Sequence, residues 1–204
     1  MSAQINRVYS YSLIYAILFG QVFLYLDGML VVDRAFSLLR LVLAPIVIFL
    51  YFYRGNKLLP IHWWILVFWG ILWISSVSNE ITHLTPLISY TINTFAVVLL
   101  CTMHARRNSY EFLTSLCISL EFFAYLNFLL LLMHPHGVWI TYSETSPRGV
   151  GHFLVGGNSN QMGSMLLISS AIMSFKAYQY DEKKSRMWLL LIISVLSVAI
   201  VSSS

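Results

Sequence analysis

The chain has 204 residues, 58% of them hydrophobic and only 10% charged, with a mean hydropathy of +0.76 and a formal net charge of +4. A soluble domain carries about 25% charged residues, so a single water-soluble core is excluded and the composition is that of an integral membrane protein. The basic residues are scattered between apolar runs, which is a pattern of membrane topology and speaks against nucleic acid as a partner.

Seven apolar runs follow one another, at about 8–26, 35–53, 61–78, 84–103, 112–133, 161–178 and 187–203. They are continuous rather than alternating, so helices are expected rather than barrel strands. A helix of 19 residues covers roughly 28 Å, enough for the hydrocarbon core of a bilayer. The expected fold is therefore all-α: a polytopic bundle of about seven transmembrane helices, forming one domain over 1–204. The first run follows Arg7 and resembles a signal peptide. It is 19 residues long with no small-x-small cleavage site after it, so a retained span is expected.

The second run carries Arg40 towards its outer end. This side chain has three readings: snorkelling to headgroups, pairing with Asp33, or facing an inner cavity beside Arg148. Cys101 and Cys117 lie inside apolar runs and read as small buried hydrophobes, without metal-ligand spacing. The fifth run holds Glu121 and Asn127. A mid-span carboxylate must face protein, either in a structural pair or in a proton relay.

Charge sets the expected orientation. With a cytoplasmic N-terminus, the inner segments carry nine Lys/Arg: Arg7, Arg54, Lys57, Arg106, Arg107, Lys176, Lys183, Lys184 and Arg186. The outer segments carry only Arg34 and Arg148. Trp63, Trp64 and Trp188 then fall at inner interfaces as anchors. The connection 134–160 becomes extracytoplasmic and, at about 27 residues, is the longest in the chain. Connections of that length are uncommon unless functional.

Polar chemistry gathers at 147–163, which holds Gly149, Gly151, Gly156, Gly157 and Gly163 with Arg148, His152, Asn158, Asn160 and Gln161. Arg148 offers a permanent charge and a planar fork of donors to phosphate or carboxylate; a solvated loop arginine is the plainer reading. The glycines permit close approach to backbone N–H groups, or simply a flexible loop. Their spacing is not that of a nucleotide-binding loop. Asn158 and Ser159 suit a helix N-cap, and the helix start is itself favourable to anions. Asn158-Ser159-Asn160 is not a glycosylation acceptor, because its third residue is Asn. His134, His136 and His152 offer a general base or are ordinary loop histidines.

Apolar helices leading to an outer Arg-Gly-x-Gly stretch, then a Gly-Asn-x-Asn element opening the next helix, resemble the bacterial O-antigen ligases and the related repeat-unit polymerases of O-antigen, capsule and exopolysaccharide synthesis. Arg148 and Gly151 match that family's Arg-x-x-Gly stretch. Asn158-Ser159-Asn160 matches its Asn-Pro-Asn-like element, with Ser in place of Pro. The motif covers about 16 residues and the helix layout most of the chain. The family continues with a Ser-Arg pair and a further outer loop, whereas this sequence stops at Ser204 within its seventh run, so the N-terminal portion of a longer protein is expected.

The resemblance implies a metal-independent inverting glycosyltransferase of the bacterial cytoplasmic membrane, with no cofactor. Its donor is a polyprenyl-diphosphate-linked oligosaccharide and its acceptor a sugar hydroxyl of a glycan. Membrane lipid and other membrane proteins of polysaccharide assembly are the further partners it suggests. Arg148 is the implied catalytic residue, stabilising the leaving diphosphate. Gly149, Gly151, His152, Gly157, Asn158, Asn160 and Arg40 are the candidate substrate-binding residues. Two other readings compete: a flippase or transporter of lipid-linked oligosaccharide, which predicts internal repeats and broken helices not visible here, and an inactive truncated remnant.

Overall fold

The computed structural model of the chain describes residues 2–23, 30–78, 84–137, 139–143, 146–155, 157 and 159–203. Its helices are α1 (Ser2–Phe23), α2 (Leu30–Tyr53), α3 (Pro60–Ser78), α4 (Leu84–Arg107), α5 (Ser109–Met133), α6 (Ser159–Gln179) and α7 (Ser185–Ser203). Among the described residues five helices, α2, α3, α4, α5 and α7, are long and apolar enough to cross a membrane. Several such helices make this a multi-pass membrane protein. The all-α expectation holds for the bundle, with one local addition. The connection 134–160 contains a β-hairpin, with β1 at Trp139–Ser143 and β2 at Ser146–His152. An extended segment leaving the end of a helix has no intrahelical partners, and pairing with itself satisfies its backbone.

Helices overrun the apolar stretches that mark them. α4 continues to Arg107 and α5 starts at Ser109, so one residue joins them. Apolar composition marks what lipid tolerates, but a helix continues until its end groups find other partners. Asn108 supplies them: its backbone is extended (φ −159°, ψ 99°) and its Oδ1 accepts from the Glu111 N–H at 3.1 Å.

Pairwise contacts fix the direction of each helix. Trp73 meets Thr91 and His62 meets Thr102, so α3 and α4 are antiparallel. Asn127 meets Met162 and Ser109 meets Tyr180, which sets α5 against α6 in the same way. Ser170 reaches Ser194, and Gly163 lies beside Val198, so α7 reverses again. α2 runs with α4, since Arg54 touches Met103 and Arg40 lies near Tyr90. Arg7 shares a cavity wall with Arg54 and Met103, while Leu18 and Phe19 share one with Tyr90 and Asn93. Successive helices therefore alternate. The hairpin lies at one end of the bundle, and Arg54, Lys57, Arg106, Arg107, Lys183 and Lys184 lie in or beside helix ends at the other.

α5 is the central post, packing on α1, α4, α6 and α7, while α3 packs on α4 at the edge. Apolar side chains of α5 enter the core beside α6 and α7, with Cys117, Ala124 and Leu131 meeting Met162, Leu166, Met173 and Leu190. The same helix buries Glu111, Ser115, Ser119, Glu121 and Asn127. Glu121 is its middle residue and is 4% exposed. Its Oε1 accepts from Arg186 Nε at 3.2 Å and its Oε2 from Arg186 Nη2, a two-point fork across to the first turn of α7. Tyr125 on the next turn donates to the same carboxylate at 3.4 Å. Of the two readings of this mid-span acid, the structural pair is present.

Arg186→Ala removes the fork from the buried Glu121 carboxylate, which keeps the Tyr125 hydroxyl at 3.4 Å. The expected cost is roughly 2–3 kcal/mol, read as a lowered thermal unfolding midpoint in detergent. Adding Glu121→Leu to that variant should recover most of the loss, because both charges are then gone. An unchanged midpoint in Arg186→Ala alone would mean the fork does not hold α7 to α5.

Candidate functional site

The site expected from the sequence is built on the connection between α5 and α6, and its backbone is set by two glycines. After α5, the His134 N–H still bonds Leu130 O at 2.8 Å and Gly137 N–H bonds His134 O at 3.1 Å, forming a tight turn. Gly137 has φ +119°, and a Cβ there would stand 2.7 Å from Gly151 Cα. A Cβ on Gly151 would stand 1.9 Å from His136 O. The turn and β2 therefore cross at backbone contact, which only two glycines allow.

β1 and β2 pair antiparallel through Trp139↔His152, Ile140↔Gly151 and Thr141↔Val150, then Ser143↔Ser146. Between the last two pairs β1 advances by two residues and β2 by four. The surplus is taken up within 147–149, so Pro147, Arg148 and Gly149 form a bulge in β2. Proline has no N–H to give a ladder and is at home in such a break. Bulges bend the strand and redirect its side chains, and they are over-represented beside active sites.

Beyond His152 the chain turns back into the bundle. Phe153 N–H bonds Gly157 O at 2.6 Å, and Gly157 has φ +80°. Phe153, Leu154 and Val155 are 3%, 5% and 3% exposed, with Phe153 packed among Ala124, Leu131 and Met162. Asn127 on α5 holds this plug. Its Oδ1 accepts from the Val155 N–H at 3.0 Å, and its Nδ2 lies 3.3 Å from Met162 Sδ. α6 begins two residues after Gly157, at Ser159.

The expected residues fall into three groups. Arg148, Gly149, Gly151 and His152 share β2, and Gly157 and Asn160 border the start of α6, so these gather at one end of the bundle. Asn160 is exposed there, with its carbonyl accepting from Ser164 Oγ at 3.0 Å. Asn158 lies outside the described residues. Arg40 is separate: it is 5% exposed on α2, its Nη2 donates to Ser37 Oγ at 3.0 Å, and it stands 3.7 Å from Asp33. α2 packs on α1 and α4 rather than on the helices that carry the hairpin.

Sequence reasoning missed the plug and its anchor. The signal was present: three apolar residues, Phe153-Leu154-Val155, inside a polar stretch, and an asparagine in an apolar run near the same end of α5. Among the described residues no three His, Cys, Asp or Glu side chains come together as a metal site would require. A cavity of about 440 Å³ lies between α6 and α7, lined by Gly163, Leu166, Leu191 and Val198 among others. Its serines Ser170 and Ser194 bond each other at 3.2 Å, so it presents hydrocarbon rather than donors for a sugar.

Two substitutions test this construction. Asn127→Leu should leave the Val155 N–H unsatisfied at about 1–3 kcal/mol, with faster amide exchange across 153–157 as the readout. Gly151→Ala should displace the hairpin from the turn below it and expose 134–152 to limited proteolysis; protection equal to wild type would contradict the crossing. No protein-family model, curated protein or solved structure matches the chain.

Proposed function

We propose that the chain spans the membrane seven times from a cytoplasmic N-terminus, and that its hairpin binds the diphosphate of a polyprenyl-linked glycan at the outer face of a bacterial cytoplasmic membrane. The glycan passes to an acceptor sugar hydroxyl, as in the O-antigen ligases and repeat-unit polymerases that the sequence resembles. The observation that carries this reading is the register break at 147–149, which sets Arg148 in a bulge of a strand leading to the N-terminus of α6. A bulge presents one residue differently from its neighbours. A helix start adds unpaired N–H groups and the positive end of the dipole. An arginine on β2 and a helix start at the same end of the bundle suit an anion of two phosphates.

The alternation of helices and the charge at their ends support the orientation. Six Lys/Arg gather at or beside helix termini opposite the hairpin, as cytoplasmic ends require. Trp63, Trp64 and Trp188 are 58%, 69% and 54% exposed in the opening turns of α3 and α7, positions suited to the interface on that side.

In the proposed reaction the acceptor oxygen bonds the anomeric carbon while the bond from that carbon to the diphosphate oxygen breaks. The electron pair leaves with the lipid diphosphate, and the acceptor's proton is lost to a base. Negative charge grows on the leaving group, and Arg148 stabilises it most when the bond is nearly broken. The backbone that leads from β2 to α6 is held by Asn127 through the Val155 N–H, so the strand that carries Arg148 is fixed beyond its end.

Arg148→Ala should lower glycan transfer by about 100-fold or more while membrane expression persists, with transfer measured from a lipid-linked donor. Wild-type transfer in that variant would sink the assignment. Orientation has its own check. Ser143→Cys, with Cys101 and Cys117 replaced, should react with an impermeant maleimide from outside intact cells, and reaction only from the cytoplasmic side would reverse it.

A further inference from the structure

The end of the bundle opposite the hairpin carries a different site. A cavity of about 200 Å³ lies between α1, α2 and α4. Its inner wall is hydrocarbon, from Ile14, Leu43, Val47, Leu50 and Leu100 among others, and Ile46, 46% exposed, forms a lip on the outer surface. Arg7 and Arg54 line the same cavity at its polar end, both on exposed positions, with Ser10 and Tyr11 beside Arg7. Arg54 immediately follows the apolar stretch Val32–Tyr53. That puts its guanidinium where a bilayer changes from acyl chain to headgroup.

We infer that this groove binds an anionic phospholipid, with its phosphate between Arg7 and Arg54 and one acyl chain laid along the α1–α2 wall. Three observations carry the inference. None of the lining residues is acidic, so the polar end of the groove is basic and complementary to an anion. Arg54 Nη1 donates to Met103 Sδ at 3.5 Å, a weak acceptor that engages one of its five donors. The volume lies below the ~300–1,000 Å³ of a pocket for a whole small molecule, whereas a groove open along one side accepts a segment of chain whose remainder lies against the helix exterior. Basic pockets between transmembrane helices on the cytoplasmic side bind anionic headgroups by this combination of charge and hydrocarbon. The site is independent of glycan transfer, because it lies at the other end of the bundle and shares no residue with the hairpin.

The test uses the full chain in nanodiscs with equal phosphatidylglycerol and phosphatidylcholine, followed by native mass spectrometry of the retained lipid. Phosphatidylglycerol should be retained in preference. Arg54→Gln, an exposed substitution expected to leave the unfolding midpoint unchanged, should weaken that retention about fivefold, and Arg7→Gln with Arg54→Gln should weaken it further. Leu43→Trp, which fills the groove without touching either charge, should also lower retention. Equal retention of phosphatidylcholine, or unchanged selectivity in the double variant, would overturn the site. Inorganic phosphate displacing the lipid at millimolar concentration would overturn the acyl-chain part of it.

Discussion

Lipid offers no hydrogen bonds, so a polar group on a membrane helix is costly unless it finds a partner in protein. α5 carries several, and the bundle is organised by satisfying them. Ser119 Oγ donates to Ser12 O on α1 at 2.6 Å. Glu111 stands 3.7 Å from His104 on α4, beyond hydrogen-bond distance, while the other ring nitrogen of His104 meets Tyr15 of α1 at 3.1 Å. Glu121 takes the fork of Arg186 on α7, and Asn127 holds both the Val155 amide and Met162 of α6. Apolar packing brings these helices together without specifying which turn meets which. The polar contacts supply that register, since a slip by one turn would leave each group unpaired in hydrocarbon.

The hairpin inherits this order. Its strands are short, and an isolated two-stranded hairpin is marginal in water. It gains stability because both of its ends are fixed. One leaves α5 through a turn that lies in backbone contact with β2, and the other enters the core as the Phe153–Val155 plug. Between two fixed ends, the extra residues at 147–149 have a definite place. The chain of cause runs from an asparagine in an apolar helix, through a backbone amide, to the strand that carries Arg148.

The sequence makes much of this legible, and unevenly. Long apolar runs give the helices because lipid imposes one requirement on all of them. Glu121 announces its need for a partner because a mid-span carboxylate has no other way to be stable. The hairpin is harder to foresee. Its strands lie among glycines and prolines with little alternation, and its pairing depends on contact between residues on either side of the turn rather than on local propensity. The bulge exists only once the register is known. The anchoring of Val155 by Asn127 joins residues far apart in the chain, and neither type alone predicts the other. The loop's composition reveals that chemistry is concentrated there; its shape is decided by the helix beneath it.

The Gly137–Gly151 crossing has a consequence for how such a protein can vary. Where two side chains clash, one can shrink to make room for the other. Here both positions have already given up everything, so neither can compensate a change in its partner. Relief can come only from moving backbone, and a shifted β2 would carry the displacement along the ladder to the bulge within a few residues. The residues tolerated at these two positions are thus a gauge of how accurately the strand must be held, readable in natural variation without any measurement on the arginine itself.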